Sequence, residues 1–220
     1  MNIVLGGTHG LGWEIAKTLR KNDEDTMVLG RSYDANQHGE GLAIDLSDAE
    51  NVKTSLEKLQ QTLGSTTIHQ FYWAAGYGYN GDFASQEDPR KMAEVNFANV
   101  MPIAQFVWGS MLKSAQTSNF VVISSTTGIK PRADEAVYAA TKHAQVGFGR
   151  SLGMETERLK AGIKVALILP GGMQTPFWEG VEPPSFNTFN DPKKVAEKIV
   201  SNVGEQTDPF LEVMIDRGSV

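Results

Sequence analysis

Seven short apolar runs punctuate the chain: Ile3 to Leu5, Met27 to Leu29, Leu42 to Ile44, Phe71 to Ala75, Phe120 to Ile123, Val165 to Leu169 and Phe210 to Ile215. Between the first two, Leu11, Ile15, Ala16 and Leu19 recur at three- and four-residue steps, and Val52, Leu56, Leu59 and Leu63 do the same before the fourth. Runs of this length read as strands, and the stepped patterns as helices packed on them. Strands that are apolar almost throughout are buried on both faces, which is the condition of a parallel sheet with right-handed helical crossovers. The pattern therefore predicts an α/β fold, a doubly wound parallel sheet of about seven strands with helices on both faces. One segment breaks the rhythm. Pro176 to Pro192 is too rich in proline for a long helix and carries Phe177, Trp178, Phe186 and Phe189. It reads either as a surface loop tucking aromatics onto the core or as a short lid over an apolar pocket.

Composition narrows the classes without changing that picture. A chain of 220 residues, 40% hydrophobic and 21% charged, suits one well-buried domain spanning 1–220. No apolar run approaches the roughly 20 residues that cross a membrane, and the start MNIVLGG reads as a strand entering a turn rather than a secretory signal, which points to the cytoplasm. The absence of cysteine removes disulfides, thiolate metal sites and cysteine nucleophiles. A formal charge of −6 argues against nucleic acid and leaves a small molecule as the expected partner. His9, His38, His69 and His143 are scattered, with no pair at ligand spacing, so no metal site is expected.

The first apolar run feeds directly into GGTHGLG, with Gly6, Gly10 and Gly12 ahead of the first helical pattern. Glycines there let a strand turn sharply into a helix, admit a pyrophosphate close to the backbone and aim the helix N-terminus at it. The cofactor contacts expected in this turn are Gly6, Thr8, His9, Gly10, Leu11 and Gly12. The missing GK[ST] ending disfavours nucleoside triphosphates. After the second strand, LGRSYD offers Arg31 and Ser32 where an acidic residue would hold the adenosine ribose, so a 2′-phosphate is favoured and with it NADP(H) over NAD(H). Asp34, three residues after Arg31, keeps NAD(H) open. Asp45 and Leu46 in IDLSD would flank the adenine, although Asp45 reads equally as a helix N-cap.

The remaining chemistry gathers on YAATK, where Tyr138 and Lys142 share one helix face among small residues. Together these residues resemble the short-chain dehydrogenase/reductase family, from the glycine turn to the last strand. The family's GxxxGxG turn is matched by Gly6, Gly10 and Gly12, its helical Asn by Asn96 in EVNFAN, its Ser by Ser125 in VVISSTTG, and its YxxxK by Tyr138 and Lys142. Ser125 precedes Tyr138 by thirteen positions, the family's interval, and so is preferred to Ser124. PGGMQT is similar to the family's PGxxxT and adds Pro170, Gly171 and Thr175 as nicotinamide contacts. The family's NAG after the fourth strand is AAG here, Ala74, Ala75 and Gly76, so a bracing Asn is missing.

The resemblance implies a Rossmann-type oxidoreductase that moves a hydride between a nicotinamide and a carbonyl or alcohol substrate. Tyr138 would donate the proton, Lys142 would favour the phenolate and hold the nicotinamide ribose, Ser125 would bond the carbonyl oxygen, and Asn96 would hold a water linking Lys142 to solvent. A second reading is a catalytically silent NAD(P)-binding sensor or regulatory module. An epimerase or dehydratase acting on nucleotide sugars would need a larger C-terminal region than this chain has. Trp73, Tyr77 and Tyr79 either line the cofactor cleft or pack elsewhere. Family members commonly pair as homodimers or homotetramers through the YxxxK helix, where Ala144, Val146, Phe148 and Leu152 would supply either that face or core.

Overall fold

A computed structural model of the chain describes residues 1–178 and 185–220. Seven parallel strands lie in the order β3-β2-β1-β4-β5-β6-β7: β1 (Asn2–Leu5), β2 (Thr26–Gly30), β3 (Gly41–Ala43), β4 (Gln70–Trp73), β5 (Ser118–Ile123), β6 (Ile163–Pro170) and β7 (Phe210–Ile215). The seven α-helices among the described residues are α1 (Gly10–Lys21), α2 (Ala35–His38), α3 (Ala49–Leu63), α4 (Pro89–Asn96), α5 (Met101–Leu112), α6 (Ala136–Leu159) and α7 (Pro192–Glu205).

Alternation along each strand sorts side chains onto two cores. Ile3, Leu5, Met27, Leu29, Phe71, Trp73, Phe120 and Val122 face the side covered by α3, α5 and α6. Val4, Val28, Tyr72, Val121 and Ile168 face the side covered by α1 and α7. Because both faces are covered, the strands carry no polar alternation, which is why they read as continuous apolar runs. Helix starts are secured locally. Asp48 accepts from the backbone N–H of Glu50 and Asn51, Asp88 from that of Lys91 and Asp191 from that of Lys193. Each such cap stabilises by about 1 kcal/mol.

Several expectations change. The N-cap before α3 is Asp48 and not Asp45, because Asp45 turns back onto Ser47. Trp73 is fully buried and packs on Phe97 and Phe148, so it belongs to the core and not the cleft. Val146 is in that same core with Phe148 and Leu152 packed against it, so three of the four residues named for a pairing face point inward. Of the segment expected to form a lid, residues 179–184 lie outside the described residues. No helix among the described residues is long and apolar enough to cross a membrane.

Candidate active site

The C-terminal ends of the central strands open on a cleft of about 1010 Å³. It lies where β1 neighbours both β2 and β4, the point at which the chain reverses its progress across the sheet. Open parallel sheets leave a crevice there because successive crossovers depart to opposite faces.

At one end the cleft is walled by the turn after β1. Gly6 has φ +83°, and a Cβ on it would lie 2.5 Å from the backbone of Ala75. A Cβ on Gly12 would lie 2.2 Å from the carbonyl oxygen of Gly6, so the turn and α1 close up only with glycine at both positions. Gly10 is different: its φ is +52°, but an added Cβ would meet Thr175 only at an ordinary 3.6 Å. His9 supplies no side-chain cap to α1, and the first turn holds no acidic residue. The N–H groups of Gly10, Leu11 and Gly12 therefore face the cleft with no acceptor among the described residues. A glycine-walled helix N-terminus with free donors fits the pyrophosphate of a dinucleotide.

Thr8 is held from behind. Its carbonyl oxygen lies 3.2 Å from Nε2 of His38, a buried ring that also packs edge-on against Trp13. Arg31 and Ser32 stand exposed at the rim beyond β2, while Asp34 caps α2 through the N–H of Asn36 and does not line the cleft. Asp45 accepts from the N–H and hydroxyl of Ser47, and these bonds hold its carboxyl below the usual carboxylate range, with Arg31 adding to the effect. Leu46 is pinned by Asn99, whose Nδ2 donates to its carbonyl at 2.9 Å.

At the other end Ala74, Ala75 and Gly76 leave β4, and Pro170, Gly171 and Thr175 leave β6. Between them Ser125, Tyr138 and Lys142 converge. Ser125 follows β5, and its Oγ accepts from the N–H of Thr127 at 3.1 Å. Ser124 instead donates to the carbonyl of Lys142 at 2.9 Å, which removes it from the cleft chemistry. Burial pushes the Tyr138 phenol well above its ordinary range, the adjacent Ser125 hydroxyl opposes that shift, and the charge of Glu135 adds to it. Lys142 Nζ lies 5.7 Å from the Tyr138 ring centroid and donates to the carbonyl of Ile123 at 3.2 Å and to Oε1 of Gln145 at 2.9 Å. Desolvation lowers its pKa to about 7. The protein alone thus favours the neutral phenol of Tyr138 and weakens the ammonium of Lys142 beside it. Phe177 packs edge-on against Tyr138 at 5.5 Å, bringing one aromatic of the irregular segment into the cleft with Tyr77 and Tyr79.

Asn96 does not reach the cleft. It is fully buried: its Oδ1 accepts from the N–H of Tyr77, and its Nδ2 donates to the carbonyl of Tyr77 and to Oγ1 of Thr141. The side chain clamps the Gly76–Tyr77 strand exit to α6. Its carbonyl accepts from Nε2 of Gln145 at 2.8 Å, and Oε1 of Gln145 accepts from Lys142, so a side-chain amide links Asn96 to Lys142. Gln145 and Glu135 were not anticipated. The available signal was spacing, since Gln145 lies three residues after Lys142 on α6 and Glu135 three residues before Tyr138, at the start of that helix. Among the described residues no group of three His, Asp or Glu side chains could hold a metal ion.

Residues 1–184 match the family model described as short chain dehydrogenase. Carbonyl reductase family member 4 of Xenopus tropicalis is 26% identical over 214 residues, covering 90% of this chain and 88% of the relative. Among solved structures, a variant of actinorhodin polyketide ketoreductase with NADPH is 24% identical, with TM-score 0.80, covering 99% of this chain and 96% of that one. The 3-ketoacyl-(acyl-carrier-protein) reductase of Brucella melitensis with NADH is 20% identical, with TM-score 0.84, covering 100% and 98%. At these identities the two structures establish the fold.

Proposed function

The chain belongs to the short-chain dehydrogenase family and is an oxidoreductase, and from that premise we propose that it reduces a small carbonyl compound with NADP(H), using Tyr138 as the proton donor. The observation that carries this reading is the convergence of Ser125, Tyr138 and Lys142 at one end of a cleft whose other end offers free helix N–H groups and Arg31.

The turn from Gly6 to Gly12 would hold the pyrophosphate, Arg31 and Ser32 the 2′-phosphate, Asp45 and Leu46 the adenosine, and Lys142 with Pro170, Gly171 and Thr175 the nicotinamide half. When bound, the reduced cofactor supplies the hydride that adds to the carbonyl carbon. Negative charge then builds on the carbonyl oxygen. Ser125 is placed to donate to it, and Tyr138, held protonated by burial, delivers the proton that completes the alcohol. The resulting phenolate would be favoured by a proton on Lys142, whose pKa of about 7 leaves it partly charged near neutrality. Phe177 packs edge-on against Tyr138 and would cover one side of a substrate bound there.

Fluorescence titration with NADPH and NADH, followed by an oxidation assay over aldehydes and ketones, tests the reading. Tyr138→Phe is expected to retain NADPH binding and to lose turnover by about a hundredfold or more, the scale of a lost general acid. Retained turnover in that variant would sink the assignment of Tyr138, and tight cofactor binding with no turnover on any carbonyl would favour a silent binding module.

A further inference from the structure

Glu135 immediately precedes α6 and is 7% exposed, yet it does not cap the helix. Its Oε2 accepts from Oγ1 of Thr127 at 3.1 Å. Its Oε1 has no partner among the described residues and is not sealed in, since the only sealed, unpartnered side-chain polar atoms among them are the indole nitrogens of Trp73 and Trp108. Glu135 lines the cleft together with Ser125, Thr127, Arg132 and Tyr138.

Position makes this carboxylate expensive. Tyr138 follows it by one helical turn, and Thr127 bonds Glu135 through its hydroxyl and Ser125 through its N–H. A negative charge here opposes the charge that develops on the carbonyl oxygen and on the phenol during reduction. No side-chain cap or ion pair among the described residues engages it, and its second oxygen remains able to accept a hydrogen bond. Arg132, exposed, lines the same cleft, so a cationic ligand there would meet a like charge and a neutral donor would not.

Resting on the carbonyl-reductase reading, we propose that Glu135 is a specificity residue and that the substrate is a hydroxy carbonyl compound, with a hydroxyl on the carbon next to the reacting carbonyl or on the one beyond it, donating to Oε1 of Glu135. A carbonyl oxygen held by Ser125 and Tyr138 would bring its neighbouring carbons toward Thr127 and Glu135, which line the same cleft and are bonded to each other. A plain 3-ketoacyl chain, with no donor near its ketone, leaves the carboxylate unanswered.

The test compares size-matched carbonyl pairs with NADPH, hydroxyacetone against butanone, with aminoacetone as the cationic arm, in wild type, Glu135→Gln and Glu135→Ala. Wild type is expected to favour the hydroxy ketone in kcat/KM by on the order of tenfold, the scale of one hydrogen bond to a charged group. Both substitutions should collapse that ratio, mainly through KM. Equal losses on both ketones, or a wild type with no preference, would reduce Glu135 to a structural partner of Thr127 and overturn the proposal. A preference for aminoacetone over hydroxyacetone would overturn the neutral-donor assignment. If wild type binds NADPH and reduces none of the three, the reductase reading itself fails, and that outcome is distinct from a lost preference.

Discussion

The Lys142 ammonium is 6% exposed and bonded to two neutral acceptors, which return only part of the hydration it loses. Its pKa in the folded chain, about 7, lies below the ~10.4 of an unfolded chain, so between those values the unfolded state binds more protons. Stability from this group therefore rises with pH from about 7 upward and is flat at its lower level below that. Urea denaturation between pH 7 and 9 should show wild-type stability climbing more steeply than Lys142→Met by up to about 1.4 kcal/mol per pH unit, and equal slopes would refute the shift. Gln145 is the neighbouring dependency. Gln145→Leu strips a partner from both the Asn96 carbonyl and the Lys142 ammonium in a fully buried place, and should cost about 1–3 kcal/mol in urea. An unchanged unfolding midpoint would show that the bridge contributes nothing.

Helix α1 meets the sheet through two glycines with different reasons to be glycine. At Gly12 the obstacle is the Gly6 carbonyl oxygen 2.2 Å from an added Cβ, and backbone cannot swing aside. Gly12→Ala should displace the N-terminus of α1 and lower both thermal stability and NADPH affinity. At Gly10 there is room, and the penalty is a φ of +52° that costs an L-residue about 1 kcal/mol. Gly10→Ala should keep the fold with a melting temperature only a few degrees lower, while NADPH titration shows the larger loss. If the two variants melt alike, the packing distinction between them is wrong. The same logic explains the bend after α4: it ends at Asn96, whose side chain binds Tyr77 and α6 rather than continuing a helical face.

At the scale of the whole molecule, the two cores lie on opposite faces of the sheet, and segments leaving the C-terminal ends of the strands converge on the cleft. The chain's formal charge of −6 repels an anionic cofactor at long range, and affinity must come from local donors. Arg31 is an exposed cation beyond β2 on that rim, and with Lys91 it acts on Asp45. Arg31→Ala should weaken NADPH about tenfold or more, leave NADH within about twofold, and flatten the salt dependence of NADPH binding. Equal weakening of both cofactors would remove the basis for preferring NADP(H).

Strand positions, the glycine turn and the YxxxK helix were legible in the chain because each is a local rule: apolar runs for strands buried on both faces, glycine where backbone must turn, and four-residue spacing for one helix face. Which partner a polar side chain takes is not local. Motif alone groups Asn96 with the catalytic residues, while the folded chain bonds its amide to Tyr77 and Thr141, 19 and 45 residues away. Trp73 at the end of β4 fits a cleft or a core equally well by sequence, and only the packing of Phe97 and Phe148 against it decides for the core. Gln145 and Glu135 carry no motif, and their roles exist only because α6 is pressed against Ile123, Thr127 and the end of α4. Sequence periodicity determined the sheet and placed the phosphate turn and the Tyr138–Lys142 pair. Tertiary structure alone decided how buried polar groups share donors and acceptors, because that balance is struck between segments that meet only after folding.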